Sequence, residues 1–417
     1  MSADMKMPEI RFKGFNDEWE EKKIKDIVAN LSGGASIAPT DYQNSGMRTI
    51  PKGAVNDTGT ADLSGCKCVS IDYYERNILS KTSSGDLVTS LRDLVPSAPN
   101  MGRMVKIRAP REDFLMPQGV YKIELKNEVD ENFVIAYTNS EKFRSFISRE
   151  KNGSTQVHIR NGEYLNIEIT KPKSKEQTAI GNYFQKLDSL INQHQQKHDK
   201  LSNIKKAMLE KMFPKQGETI PEIRFKGFSG DWEEKELGEL AEIVRGASPR
   251  PIEDPKWFDR NSNVGWLRIK DVTEQDGRIH HLLQRISKLG QEKTRVLREK
   301  HLLLSIAASV GKPVVNYVET GVHDGFLIFQ KPLFDLEFMY QWLKSFEPKW
   351  QQYGQPGSQV NLNSDIVKSQ IVTIPSNEEQ LKIGNYFQKL DTLINQHQQQ
   401  ITKLNNIKQA CLSKMFV

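Results

Sequence analysis

The 417-residue chain has only three cysteines, and no apolar run approaches the roughly 18 residues that a membrane span requires. Three thiols in a chain of this length exclude a disulfide framework. Cys66 and Cys68 form a lone C-x-C with no second Cys/His pair at ligand spacing, so they read as reduced thiols and not as a metal site. The most apolar stretch, Leu302 to Val310, contains Ser305 and Ser309 and reads as a buried strand or turn. The opening residues, MSADMKMPEIRF, show neither the apolar core nor the cleavage site of a secretory leader, so a cytoplasmic chain without membrane contact is expected.

Catalytic signatures are missing as well. A methyltransferase acting on adenine needs an Asn/Asp-Pro-Pro-aromatic loop, and no Pro-Pro-aromatic occurs. A translocating motor needs G-x-x-x-x-G-K-[ST], whereas Gly311-Lys312 is followed by Pro313 and lacks the earlier glycine. Asp113 with Glu124-Leu125-Lys126 mimics the carboxylate spacing of a metal-dependent nuclease, a triplet that arises easily by chance in a chain with 27% charged residues. The formal net charge of +6 is compatible with a nucleic-acid partner and does not by itself demand one.

What is present is an internal repeat. PEIRFKGFNDEWEEK (Pro8 to Lys22) returns as PEIRFKGFSGDWEEK (Pro221 to Lys235), 213 residues later. Glu176 to Phe213 returns as Glu379 to Phe416, 203 residues later. The repeated pieces bracket two segments, 28–172 and 241–375, that share little sequence. A solenoid would repeat its whole unit every 20–50 or so residues; here a frame is duplicated and the inserts have diverged. The chain therefore divides into a lead-in (1–27), a first variable domain (28–172), a long helix (173–213), a linker with second lead-in (214–240), a second variable domain (241–375) and a second long helix (376–417). The second helix ends where another PEIRF would follow, and that continuation stands at Pro8, which predicts a closed, pseudo-twofold layout.

In the helices the apolar positions Phe184, Leu187, Ile191, Leu201, Ile204 and Met208, and Phe387, Leu390, Ile394, Ile401, Leu404, Ile407, Cys411 and Met415, step by three and four and predict a coiled-coil seam. His194 and His397 occupy matching seam positions and read as register-setting polar residues. Some 35 helical residues span roughly 50 Å, so two antiparallel helices make a rod of that length with a head near each end. The outer helix faces and the WEEK lead-ins are left for partners.

Both heads read as mixed α/β (α+β). Strands are predicted at 86–91, 104–107 and 120–125 in the first head, and at 265–272, 301–307, 313–318 and 325–329 in the second, with helices at 132–147 and 336–346. Gly-Ser turns follow those helices, at Gly153-Ser154 and Gly357-Ser358. Basic residues cluster in each head. Singly they are ordinary solvated side chains; as groups within two heads they point to DNA, since Lys and Arg neutralise phosphates while Arg, Asn and Gln read base edges. The candidates are Lys52, Ser90, Arg92, Arg103, Lys106 and Arg108 in the first head, and Arg250, Arg268, Lys270, Arg295, Arg298, Lys312 and Gln359 in the second.

The frame motifs EQxxIGNYFQKLDxLI and KLxxIKKAxLxKMFPKQGETIPEIRFKGF…W resemble the specificity subunits of type I restriction–modification systems, a resemblance that covers the whole architecture. It implies a non-catalytic chain. Each variable domain would read one half of a split, asymmetric site on double-stranded DNA, and the helices would set the spacer. Partners would be two methyltransferase (modification) subunits and restriction/translocase subunits, which supply the S-adenosylmethionine, ATP and Mg chemistry. Relatives with a longer spacer carry tandem repeats in the central region; none stands between Met212 and Pro221.

Overall fold

The computed structural model describes residues 7–307, 310–353 and 362–417. It divides into two compact units, the first made of Met1–Gln196 with Gln398–Val417 and the second of Lys197–His397. The cut passes through both long helices, Ser174–Lys211 and Asn377–Lys414, each a single run of 38 residues.

In the first unit an antiparallel four-stranded sheet runs in the order Val28–Gly33, Val120–Leu125, Leu87–Ser90, Met104–Lys106. In the second the order is Glu242–Arg245, Phe326–Gln330, Leu302–Ser305, Pro313–Asn316, again antiparallel, with Arg278–Ile279 added in parallel at the edge. The two inserts thus share one topology, in which the first strand pairs with the last and two middle strands follow. Each has mixed α/β structure, with small satellite sheets that differ between the heads.

Two local expectations change. The expected helix at 132–147 is two helices, Glu131–Asn139 and Glu141–Glu150, because Ser140 is extended and its hydroxyl accepts the Phe143 N–H at 3.3 Å, capping a new helix. The expected strand at 265–272 stops at Leu267, and Ile269–Glu274 is helical. Asp271 accepts the Arg268 N–H at 2.9 Å, so a helix start wins over the apparent alternation of GWLRIKDV. The turn at Gly357-Ser358 lies outside the described residues.

The repeated frame makes matching contacts in each unit. In the first, Arg11 forks onto Glu176 with both bonds at 2.7 Å, Ile10 N–H donates to Lys414 O at 3.0 Å, and Phe12 meets Tyr183 edge-on. In the second, Arg224 forks onto Glu379 with both bonds at 2.7 Å, Ile223 N–H donates to Lys211 O at 2.9 Å, and Phe225 meets Tyr386. The lead-in at the start of the chain thus sits on the end of the second helix just as the internal lead-in sits on the end of the first. Closure of the layout is a contact, not only a pattern.

Within each unit the beginning of one long helix packs antiparallel on the end of the other. Phe184 and Phe416 tilt together at 5.6 Å; Phe387 and Phe213 stack at 6.0 Å. Trp19 and Phe133 close the first cluster, Trp232 and Phe338 the second. Of the predicted seam, Phe184, Leu187, Ile401, Met415, Phe387 and Leu390 are buried, and Ile191, Leu201, Ile204, Met208, Ile394, Leu404 and Ile407 are half-buried. The seam omitted Leu412, Phe416, Met212 and Phe213, all buried, while Cys411 is half-buried with its Sγ 3.7 Å from the Tyr183 hydroxyl. Burial of the Tyr183 ring and its bond to Cys411 push that phenol up to about 12. The WEEK segments keep exposed side chains, Glu20, Lys22, Glu233 and Glu234 among them, while the rest of each is built into the frame. Trp19 and Trp232 are core residues, and Glu20–Lys23 and Glu233–Glu236 pair with Glu168–Lys171 and Ile371–Ile374.

Candidate nucleic-acid interface

The two heads, built on one sheet order, offer different surfaces. In the first unit a cleft of about 1120 Å³ opens between the head and the helices. Asn56, Asn132 and Asn139 face it from the head, Asn182, Gln185 and Asn192 from the first long helix, with Asp57, Asp188, Arg108 and Lys408 among them. Asn56 and Asn139 are bonded within the head, the first to Ala54 O, Thr60 O and Thr58, the second to Ile135 O and Arg103. The other carboxamides both donate and accept, and the charges nearly cancel, so the cleft is suited to polar edges more than to phosphates. Deep in it Asp188 pairs with Lys408 at 2.6 Å, and Lys408 also donates to Asp57 O at 2.9 Å. Burial, only partly offset by Lys408, raises the Asp188 carboxyl.

The same corner of the second unit is filled. Asp391, the repeat of Asp188, pairs with Lys205 at 2.5 Å and also takes a 2.9 Å bond from Arg278. Arg278 forks onto Glu337 at 3.1 and 2.8 Å and lies over the Tyr340 ring at 4.4 Å. Burial opposes the charge on Asp391, but Lys205 and Arg278 outweigh it and its carboxyl is lowered. Glu337 is lowered in the same way by Arg278 and Lys300.

In the second head, a groove of about 910 Å³ lies elsewhere. Trp266, Phe258 and Ile252 give it an apolar floor, and Arg260, Arg268, Gln284, Arg285 and His323 line it, with Glu253 and Asp259 at the same surface. Arg268 is committed to Asp271 through bonds of 3.1 and 2.9 Å. His323 stands edge-on to Trp266, and its Nδ1 lies 2.9 Å from the Gly325 amide nitrogen and 3.1 Å from Asp324 Oδ1. Burial lowers its imidazole, so the ring is neutral at pH 7.

The structure sorts the sequence candidates. Lys52, Arg92 and Arg108 are exposed in the first head. Ser90 is buried at the end of the strand Leu87–Ser90, with its hydroxyl bonded to Arg92 O at 2.8 Å. Arg103 is spent internally: its Nε donates to Pro99 O at 2.8 Å and its Nη1 to Asn139, and burial lowers its guanidinium. Lys106 pairs with Glu131. In the second head Arg250 reaches Asp324 at 2.5 Å, Lys270 reaches Glu274 at 3.4 Å, and Arg298 reaches Glu319 at 3.1 Å, all three with solvent-exposed side chains. Arg295 Nε donates to Arg245 O at 2.8 Å. Lys312 is half-buried, and Gln359 lies outside the described residues. The residues missed are the cleft amides and Arg260, Gln284 and His323. The expected strand at 265–272, which holds Trp266 and Arg268, is a sequence signal for the groove.

Among the described residues no three His, Cys, Asp or Glu side chains gather as a metal site, and no helix is long and apolar enough to cross a membrane.

Comparison with known proteins places these features. The family model described as "Type I restriction modification DNA specificity domain" matches twice, at residues 16–203 and 229–406. The type I restriction enzyme MjaVIII specificity subunit of Methanocaldococcus jannaschii is 22% identical over 406 residues, covering 91% of this chain and 87% of the relative. The crystal structure of the type I restriction-modification system S subunit from M. genitalium has the same fold, with a TM-score of 0.65, 15% identity and 99% of each chain covered. A chain solved in work on complex assembly and conformational transition of the type I R-M system has a TM-score of 0.50 at 15% identity, covering 94% of this chain and 96% of that one.

Proposed function

The chain belongs to the type I restriction modification DNA specificity family, and on that premise we propose that each head reads one half of a split, asymmetric duplex site while the paired helices set the gap. The observation that carries this reading is the contrast between frame and heads. One set of frame contacts is made twice, whereas a neutral, amide-lined cleft marks the first head and an arginine-bearing groove the second. Unlike surfaces suit unlike half-sites, and a helical spacer suits a fixed separation, as dimer geometry does in simpler repressors. A 38-residue helix is about 57 Å long, an upper reach of about 17 base pairs at about 3.4 Å each.

In this reading the chain contributes no catalysis. Two modification subunits dock on the frame and bring S-adenosylmethionine and the adenine-methylating loop that this sequence lacks. Restriction subunits bring ATP, Mg and the motor, and the assembly acts in the cytoplasm. Exchanging residues 28–172 for the corresponding head of an unrelated member tests the reading, with methylated adenines mapped genome-wide. One half-site changes while the other half-site stays. A change in both halves, or in neither, refutes it.

A further inference from the structure

On the lip of the second head's groove, three consecutive residues, Leu283, Gln284 and Arg285, line the same concavity. Leu283 is 79% exposed, next to Leu282 at 6%. A lone exposed leucine is unremarkable on a protein surface; one held out by a braced backbone is a different matter. The Gln275 side chain accepts from the His280 and His281 N–H groups at 2.9 and 3.2 Å and donates to His281 O at 2.8 Å. On the far side Trp266 N–H donates to Gln284 O at 2.8 Å and Ile286 N–H to Val264 O at 3.0 Å. Between these braces Leu282 is seated on Gly265, where a Cβ would come within 2.5 Å of the leucine side chain. The chain bends at Leu283 and Gln284, and past the seated Leu282 the Leu283 side chain stands in solvent. Arg285 is itself aimed, since its Nη1 donates to Ser262 O at 2.8 Å and its remaining N–H groups are left for another acceptor. With Arg268 taken by Asp271, and with Glu253 and Asp259 at the same groove, the local charge disfavours a run of phosphates.

We propose that Leu283, Gln284 and Arg285 form the base-reading strip of the second head, with Leu283 packing on the C5 methyl of a thymine and the amide and guanidinium taking neighbouring base edges in the major groove. The chemistry is one apolar, one bidentate amide and one bidentate cationic contact on adjacent positions, the combination that separates T, A and G by their groove edges. The strip rests on the reading of the heads as duplex-DNA readers given above.

The test uses the full-length chain, wild type and with Leu283→Ala, Gln284→Ala or Arg285→Lys, each selecting from a random duplex pool that is then sequenced. The wild type returns two half-sites at a fixed gap. Each variant loses about tenfold preference at one base pair of one half-site and keeps the other half unchanged. At the position altered by Leu283→Ala, replacing thymine with uracil weakens the wild type and leaves the variant unaffected. Leu283 is exposed, so its truncation leaves the core intact, and Arg285→Lys keeps the charge. Variants that select the wild-type site, or that lose both halves together, overturn the strip. A wild-type pool with no sequence preference overturns the DNA-reading premise itself, and the strip with it.

Discussion

Replacing Arg278 with methionine removes the centre of the ion cluster that ties the second head's sheet to the helices of its own unit. The guanidinium side chain is 17% exposed and serves Glu337, at 9%, and Asp391, at 17%. Removing one partner of a buried pair costs about 3–5 kcal/mol, because the charge left behind has been desolvated without compensation. Here each orphan keeps a second cation, Lys300 at 3.2 Å from Glu337 and Lys205 at 2.5 Å from Asp391, so the low end applies, about 3 kcal/mol. For a unit of this size about 1 kcal/mol moves the midpoint by 2–4 °C, so the second unit's transition falls by about 6–12 °C. Calorimetry on the full chain reads the shift, and hydrogen exchange in Leu336–Phe346 assigns it to this unit. Adding Asp391→Asn to Arg278→Met deepens the loss, since Lys205, 15% exposed, is then left without its carboxylate. A shift below about 2 °C refutes the argument that Arg278 acts by buried pairing.

The aromatic clusters predict matched losses. Phe416→Ala destabilises the first unit by about 3–5 kcal/mol and Phe213→Ala the second by a similar amount, read by urea unfolding, and a loss under about 1.5 kcal/mol for either would count against the shared design. Acid separates the units. The folded-state carboxyls of Asp391 and Glu337 are lowered, so the stability they give is present above the unfolded values near about 4 and is lost as pH falls through the folded ones. Asp188 is raised, so its contribution is present below about 3.9 and is lost as pH rises through the folded value. Calorimetry from pH 6 to pH 3 therefore shows the second unit weakening more steeply than the first, and Asp391→Asn reduces that dependence. Parallel loss in both units would refute the assignment.

What could be read without coordinates was whatever depends on local pattern or on repetition. The strand at Val120–Leu125 and the helix at Leu336–Phe346 match their expected bounds, because alternation and a three-four period were both uninterrupted and, for the helix, Asp335 supplies the cap. The closed frame was legible because the repeat exposed a missing continuation. Ser140 and Asp271 were harder, since a single side chain bonded to a nearby backbone N–H outweighed the apolar period around it. The candidate site was less legible still. Whether an arginine is available depends on partners far along the chain: Arg103 is taken by Asn139, whereas Arg298 and Arg250 hold only solvent-exposed pairs with Glu319 and Asp324. A cluster of cations in sequence says nothing about such commitments.

The frame also explains how the heads diverge while the base stays fixed. Each insert reaches its unit's helices through the same pins. Gln177 accepts from Asp130 N–H at 3.1 Å and donates to Pro172 O at 2.8 Å, while Gln380 does the same with Asp335 N–H at 2.9 Å and Pro375 O at 2.8 Å. Beside each glutamine, a helix glycine lets the head's helix start come close. A Cβ on Gly181 would lie 2.6 Å from Asp130 Oδ1, and one on Gly384 would lie 2.6 Å from Asp335 Oδ1. Both aspartates are N-caps, Asp130 of Glu131–Asn139 and Asp335 of Leu336–Phe346, so the pin fixes the direction in which each head's helix leaves the base. Sequence between the pins is free to change because it meets the frame through a fixed hydrogen-bond geometry. The cluster around Arg278 belongs to one head, and strengthens a junction that the other head leaves open as a cleft.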